Sequence, residues 1–371
     1  MTDILHIVRP YNNFLKNFYL SNNTERLNYQ DHLNKLLDQK DFWSKSLKNN
    51  LKKFNTEILI SNDINIQKKW INDILEKKEK YTLGQILEKQ INYINPKIIF
   101  FQNIYDLKEN IALIKNKKTK IIFFDGIAYN NINLAKQVHG IITCLKSSER
   151  FYKNYNNNTL YMPHGFDETI KFNNDKKEID ISFVGSVSHS GHFERANNLF
   201  ELNKKNNIDF WLGDMPTNKK LLKLLPYYLL KKKPIATLKY IRALNLFKKK
   251  NHGEVFGLEM YKILNKSHLT LNLHIENAGS EAANMRMFEA TGVGSCLITD
   301  YKENIKDFFE PDKEIVVFKD LDEATEKINY LINNKNKAIE IGINGKNRTL
   351  KDHSLRIRWQ SFENFLVSKI I

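Results

Sequence analysis

The sequence predicts an α/β protein built as two successive open parallel sheets, each wrapped by helices. Three observations carry that expectation. Short apolar, β-branched runs alternate with longer amphipathic stretches. The runs are apolar at consecutive positions, as in strands buried on both faces. After a polar stretch at 171–180 (KFNNDKKEID) the whole rhythm starts again. With 371 residues, 42% hydrophobic and 12% aromatic, the chain can fill two packed cores and is too apolar to be disordered.

In the first half the predicted strands are ILHIV (4–8), EILIS (57–61), KIIFFQN (97–103), KIIFFDG (120–126), GIITCL (140–145) and TLYMP (159–163). Helical periodicity at 31–55 and 70–93 separates the early ones. In the second half DISFVGS (180–186), IDFWLGD (208–214), HLTLNLH (268–274), GSCLITD (294–300) and EIVVF (314–318) repeat the pattern. This reads as two Rossmann-like domains with a cleft between them, ligands lying beyond the carboxyl ends of the strands. No internal repeat of solenoid length is present.

One segment breaks the rhythm. Residues 215–253 hold 11 Lys/Arg and no acid, interleaved with LLKLLPYYLL and ATLKYIRALNLF, and Pro226 and Pro234 divide them into short helices. Two readings stand side by side: a solvated helical excursion packing its leucines on the domain, or a basic patch for an anionic lipid surface or polyanion. The net charge of +16 adds little, because it comes from 49 Lys and only 9 Arg alongside 47 Asn, a bias that AT-rich coding produces without a partner. Cys144 and Cys296 stand far apart in apolar runs, so neither a zinc site nor a disulfide framework is expected. MTDILHIVRP lacks the long apolar core of a signal peptide, and no stretch approaches a membrane span; the expected location is the cytoplasm, with peripheral contact at the inner face of a membrane through 215–253.

The stretch richest in chemistry is GSEAANMRMFEATGVGSCLITD (279–300). Ser280 reads as an N-cap, Glu281 as a first-turn acid, and the helix as ending at Gly292, where Gly-Val-Gly turns into a strand. On such a helix Glu281 and Glu289 would stand roughly 12 Å apart, at 1.5 Å per residue. That is the span from a sugar across a diphosphate to a ribose, with free helix-start amides for the phosphates.

Glu281-x7-Glu289 followed by ATGVGSCLITD resembles the E-x7-E element of group 1 glycosyltransferases with the GT-B fold. More closely, NMRMFEATGVGSCLITDYKENIKDFFEPDKEIVVFKDLDEATEKINYLI, VFGLEMYKILNKSHLTLNLH, DISFVGS, YMPHGFDE and KDHSLRIRW look like landmarks of CgeB-like glycosyltransferases, over about 161–365. The resemblance implies a GT-B fold: an acceptor domain at 1–170, a nucleotide-sugar donor domain at 171–352, and a helix at 353–371 crossing back to the first domain. It implies that Glu289 holds the donor ribose and that Glu281 stands near the donor sugar or its diphosphate. Gly185 and Ser186 match a loop at the phosphates, Arg195 reaches the same place, and Asn284, Arg286 and Gly292 complete the donor set. Where relatives show Phe-Gly after the first Glu, this chain has Ala282-Ala283, and Arg286 is open to pairing with Glu289 instead of phosphate.

An inverting transfer needs a base for the acceptor hydroxyl, and the candidates are Asp125, at the end of KIIFF, and His164, in PHGFD; His6 reads as a core histidine. Asp320-Leu321-Asp322 has the spacing of a metal-holding DxD, but its place before EATEKINYLI makes it a helix cap, so no metal and no cofactor beyond the nucleotide sugar is expected. SFVGSVSHSG is not a dinucleotide fingerprint. The expected activity is transfer of a sugar from a nucleotide diphosphate to an acceptor hydroxyl on a glycan, lipid-linked or protein acceptor, in assembly of a surface glycan or glycoconjugate. The alternatives are a GT-B epimerase, a nucleic-acid-binding or DNA-modifying protein, and a non-catalytic glycan-binding relative.

Overall fold

The computed structural model of the chain describes residues 2–371 apart from 42, 77–79, 173–175, 189–191, 218, 220, 221, 224, 225, 227, 228 and 231–233. It divides into two compact units, Met1–Asp167 with Leu355–Ile371, and Glu168–Ser354.

The first unit carries six parallel strands: β1 (Ile4–Val8), β2 (Thr56–Ile60), β3 (Ile98–Phe101), β4 (Lys120–Asp125), β5 (Gly140–Thr143) and β6 (Thr159–Tyr161), in the order β2-β1-β3-β4-β5-β6. Apolar side chains on both faces explain why the runs are continuous: Leu5, Ile7, Ile99, Phe101 and Phe123 pack with the helix residues Leu87, Ile91 and Leu107 in one core. On the opposite face of the sheet His6 is buried and stacked 4.8 Å from Phe100, where burial drives its pKa down to about 3 and keeps it neutral.

Each long predicted helix of this unit is in fact two. The pattern at 31–55 divides into Tyr29–Leu37 and Ser44–Asn50, with Lys40 left-handed (φ 59°) between them. That at 70–93 divides into Ile64–Leu75 and Leu83–Ile94, where Glu76 turns left-handed (φ 53°) and a Thr82–Gln85 capping box starts the second. The abundant asparagines supply many of the caps: the side chains of Asn28, Asn103 and Asn131 each accept a backbone N–H at a helix start. The helix Leu355–Phe365 belongs to this unit; Trp359 is buried and donates to Ser46 Oγ at 3.1 Å, and Arg358 Nε donates to His164 O at 3.0 Å.

The second unit carries β7 (Ile179–Ser186), β8 (Asp209–Gly213), β9 (Ser267–Asn272), β10 (Cys296–Asp300) and β11 (Val316–Phe318), all parallel, in the order β11-β10-β9-β7-β8. The chain goes from β7 to β8 on one side and then to β9 on the other. The strand order therefore reverses at β7, and the crevice between the carboxyl ends of β7 and β9 is the place where such sheets bind ligands. Of the basic excursion, the helix Pro234–Lys250 starts at its proline and buries Tyr240, Ala243, Leu244 and Phe247 in the unit's core, while Ile235 and Leu238 are exposed. The division of 215–233 into a further short helix falls largely outside the described residues.

Candidate functional site

The carboxyl edge of the second sheet gathers most of the residues singled out from the sequence. β7 ends in Gly185 and Ser186, and near this end the Val184 and Ser186 carbonyls accept from guanidinium groups. Arg286 Nε donates to Val184 O at 3.1 Å, and Arg195 Nη1, from the helix Phe193–Lys205, donates to Ser186 O at 3.2 Å. β9 ends in Asn272, whose side chain donates to Thr299 Oγ1 at 2.9 Å and accepts from Asn284 Nδ2 at 2.8 Å. β7, β9 and the start of the helix Met285–Gly292 are thereby tied into one polar network.

That helix begins later than the sequence suggested. Asn284, not Ser280, is its N-cap, accepting Arg286 N at 2.9 Å. The residues ahead of it are held elsewhere: Asn304 accepts from Ala282 N at 2.6 Å and donates to Ala282 O at 3.2 Å, Glu281 N reaches Ala278 O, and Ser280 O takes Glu303 N. Glu281 therefore sits in the loop before the helix, and the 12 Å helical spacing of Glu281 and Glu289 does not hold. The helix start is also less open than expected, because Asn284 already satisfies one of its amides. At the other end Gly292 is the last helical residue and is buried, while the left-handed glycine of the turn is Gly294 (φ 83°).

Glu289 and Arg286 face each other one turn apart. Glu289 Oε2 lies 2.7 Å from Arg286 Nη1, the side chains being 8% and 14% exposed. Arg286 thus makes the pair with Glu289 that was one of the alternatives open to it. Glu289 Oε1 remains unengaged among the described residues. Arg195 is different. It is buried, makes no ion pair among the described residues, and its Nε has no partner. Burial lowers its pKa to about 10, partly offset by the Asp300 carboxylate. A sealed cation of this kind is unfavourable until an anion joins it.

A further pair was not legible in the sequence. Asp300, at the end of β10, accepts His274 N at 2.9 Å and lies 2.8 Å from His274 Nδ1; Lys302 Nζ is 3.6 Å from its other oxygen. Burial pushes the Asp300 pKa up, but the His274 hydrogen bonds and charge outweigh it and hold the carboxyl below its usual range. The His274 side chain is 1% exposed and its Nε2 has no partner. An unmet buried polar atom costs about 1–3 kcal/mol.

The two base candidates lie in the first unit and have structural duties. Asp125 is fully buried. Its carboxylate accepts Ile127 N and Tyr129 N at 3.1 Å, Asn130 N at 3.2 Å and Tyr152 OH at 2.7 Å, which fixes the turn after β4. This is a turn-forming aspartate rather than an open base. Asp125→Asn should lower stability by about 1–3 kcal/mol and leave turnover per folded molecule unchanged. Denaturant unfolding and a specific-activity assay check this, and a specific loss of turnover would restore Asp125 as the base. His164 is wedged between Trp43 and Phe124, at 5.0 and 5.6 Å, and burial lowers its pKa to about 3, so it is a neutral packing residue at physiological pH. Asp106, which the sequence did not single out, stands where three strand ends of this unit converge. Ser61 Oγ donates to it at 2.8 Å, Asn110 Nδ2 at 3.0 Å, and Arg9 lies 3.7 Å away; burial raises its pKa to about 6.

The DxD acids do cap a helix: Asp320 Oδ1 accepts Asp322 N and Glu323 N at 3.0 and 2.9 Å, and Asp322 pairs with Lys205 at 2.7 Å. Among the described residues no cluster of three His, Cys, Asp or Glu could hold a metal, and no helix is long and apolar enough to cross a membrane.

The profile of a family described as glycosyl transferase-like matches residues 231–364. No curated protein sequence matches the chain. Among solved structures, HepE from Anabaena, crystallised with UDP-glucose, superposes with a TM-score of 0.61 at 11% identity, covering 99% of this chain and 100% of that one. Sucrose-phosphate synthase from Thermosynechococcus elongatus gives 0.58 at 8% identity over 99% and 98%. TarM gives 0.52 at 14% identity over 80% of this chain, which spans 60% of TarM's length. Two parallel α/β units and these neighbours lead to one statement: the chain has the GT-B fold, and its residues 231–364 are similar to a family described as glycosyl transferase-like.

Proposed function

We propose that the protein is a metal-independent glycosyltransferase that moves a sugar from a nucleotide diphosphate to an acceptor hydroxyl, with the donor held by the second unit and the acceptor by the first. The observation that carries this reading is Arg195, a buried guanidinium at the strand-order reversal with, among the described residues, an unmet Nε and no carboxylate partner. A diphosphate supplies the missing anion there, beside the Gly185–Ser186 strand end. Glu289 Oε1 is left to accept from a ribose diol, with Arg286 and Asn284 fixing the carboxylate and the helix start, and Gly292 closing the helix behind it. That HepE was crystallised with UDP-glucose supports a donor of this class. When the bond from sugar to phosphate breaks, the electron pair stays on the diphosphate, and buried cations already in place stabilise the growing charge without reorganising.

The test is a melting-temperature screen of UDP, GDP and ADP and their sugars, with magnesium or with EDTA. At a hundred times Kd, one of them should stabilise the protein by about 2.7 kcal/mol by mass action, to the same extent with and without metal. No shift with any nucleotide removes the donor-site reading. A shift only with magnesium removes metal independence.

The second unit also offers a surface role for 215–253. Leu222, Leu229, Leu230, Ile235 and Leu238 are exposed in a segment with 11 Lys/Arg and no acid, a combination suited to anionic lipid. Flotation with phosphatidylglycerol vesicles should recover the protein, and phosphatidylcholine vesicles or a Leu230→Glu/Ile235→Glu variant should not. Equal recovery with both lipids, or with neither, eliminates this contact.

A further inference from the structure

We propose that His274 is a second contact to the donor's diphosphate, its Nε2 donating a hydrogen bond to a phosphoryl oxygen beside Arg195. This rests on the donor-site reading and adds a residue to it. Within the described part of the second unit, Arg195 Nε and His274 Nε2 are both buried, both able to carry positive charge, and both without a partner. His268 also leaves Nδ1 unmet, but it stands near the start of β9, at the opposite edge of the sheet.

Asp300 connects the two nitrogens. It binds His274 through both N and Nδ1, which fixes the ring and puts hydrogen on Nδ1, so that Nε2 is the atom left for a ligand. Its charge also acts on Arg195. Other charged groups of this corner include Arg286, whose charge also acts on Arg195, Lys302, beside Asp300, and Glu276, which holds the first turn of the helix Phe193–Lys205 through Glu194 N at 2.6 Å. A diphosphate, with acceptor oxygens on both phosphoryl groups, offers a partner to each unmet nitrogen, whereas a neutral ligand would leave Arg195 uncompensated. With a hydrogen on each ring nitrogen, the ring donates to Asp300 on one side and to a phosphoryl oxygen on the other. No proton has to leave the ring during transfer. The sugar–oxygen bond breaks, its electron pair remains on the diphosphate, and the Nε2–H contact strengthens as that charge grows.

The experiment is calorimetric titration of the full chain with UDP, GDP and ADP and, as a probe free of base and ribose, inorganic pyrophosphate. His274→Ala should weaken diphosphate and pyrophosphate binding by about ten- to a hundredfold, as loss of one charged hydrogen bond does. His274→Gln, whose side-chain amide can donate from nearly the same place, should recover most of it. In wild-type protein carrying 15N-histidine, the His274 Nε2 resonance, identified by its absence in His274→Gln, should move on saturation; this readout stands even if the alanine variant does not fold. Wild-type affinity in His274→Ala with binding lost in Arg195→Ala, or an unmoved Nε2 resonance at saturation, overturns the proposal and leaves the donor site standing. Failure of the wild type to bind any of the four probes overturns both.

Discussion

Arg195→Met should leave the ligand-free protein as stable as the wild type, or more so, and abolish its response to nucleoside diphosphates. The two halves of this expectation have one cause. Arg195 is buried, its only hydrogen bond among the described residues runs to Ser186 O, and burial has already lowered its pKa to about 10. Its charge is therefore a cost to the empty fold, and a flexible apolar side chain of similar length removes that cost. In the proposed bound state the same charge faces the diphosphate, and its removal leaves that anion without its buried cation. Loss of one preorganised donor to a developing charge typically lowers turnover about 100- to 1,000-fold, and a buried guanidinium belongs at the upper end. The checks are unfolding of the ligand-free variant, its shift with the nucleotide that stabilises the wild type, and kcat/KM for donor consumption. A variant that melts many degrees lower yet keeps its nucleotide response would show Arg195 to be a structural residue, and the donor site would have to be sought elsewhere.

How much of this was legible in the sequence depends on how local the deciding interaction is. All eleven predicted strands exist within one or two residues of their predicted limits, because strands buried on both faces advertise themselves by composition alone. The helices at 31–55 and 70–93 were merged, since apolar periodicity runs on across Lys40 and Glu76, and neither residue type signals a left-handed turn. The start of the site helix was misread for a longer-range reason. Ser280 and Asn284 are both good caps, and the choice is made by Asn304, which holds both backbone groups of Ala282 from twenty-two residues away. His274 and Asp300 could not be paired from sequence at all, because they meet only when β9 and β10 lie side by side. Asp125 illustrates the reverse. Its strand-end position was visible, but Tyr152 and three backbone amides decide what its carboxylate does.

At Glu289 the ion pair with Arg286 and the proposed hold on the ribose fall on one carboxylate, so a single alanine substitution cannot separate them. Glu289→Ala strands the Arg286 guanidinium, 14% exposed and 2.7 Å from the lost carboxylate. Breaking a buried pair in this way costs about 3–5 kcal/mol, or roughly 6–20 °C in melting temperature for a unit of this size. Loss of nucleotide binding in that variant would follow from partial unfolding alone. Glu289→Gln avoids the confusion. The amide oxygen can still accept from Arg286, while the negative charge offered to a ribose diol is gone. We expect a stability loss of about 1–2 kcal/mol and nucleoside diphosphate affinity reduced about ten- to a hundredfold, with inorganic pyrophosphate, which has no ribose, bound as by wild type. The double substitution Arg286→Met/Glu289→Met completes the separation. Replacing both partners of a buried pair by apolar groups is often neutral or stabilising, so stability should return in the double variant and ribose-dependent affinity should not. Return of both would mean that Glu289 serves only to neutralise Arg286. Equal weakening of pyrophosphate and nucleotide by Glu289→Gln would place this carboxylate's influence on the phosphates instead of the ribose.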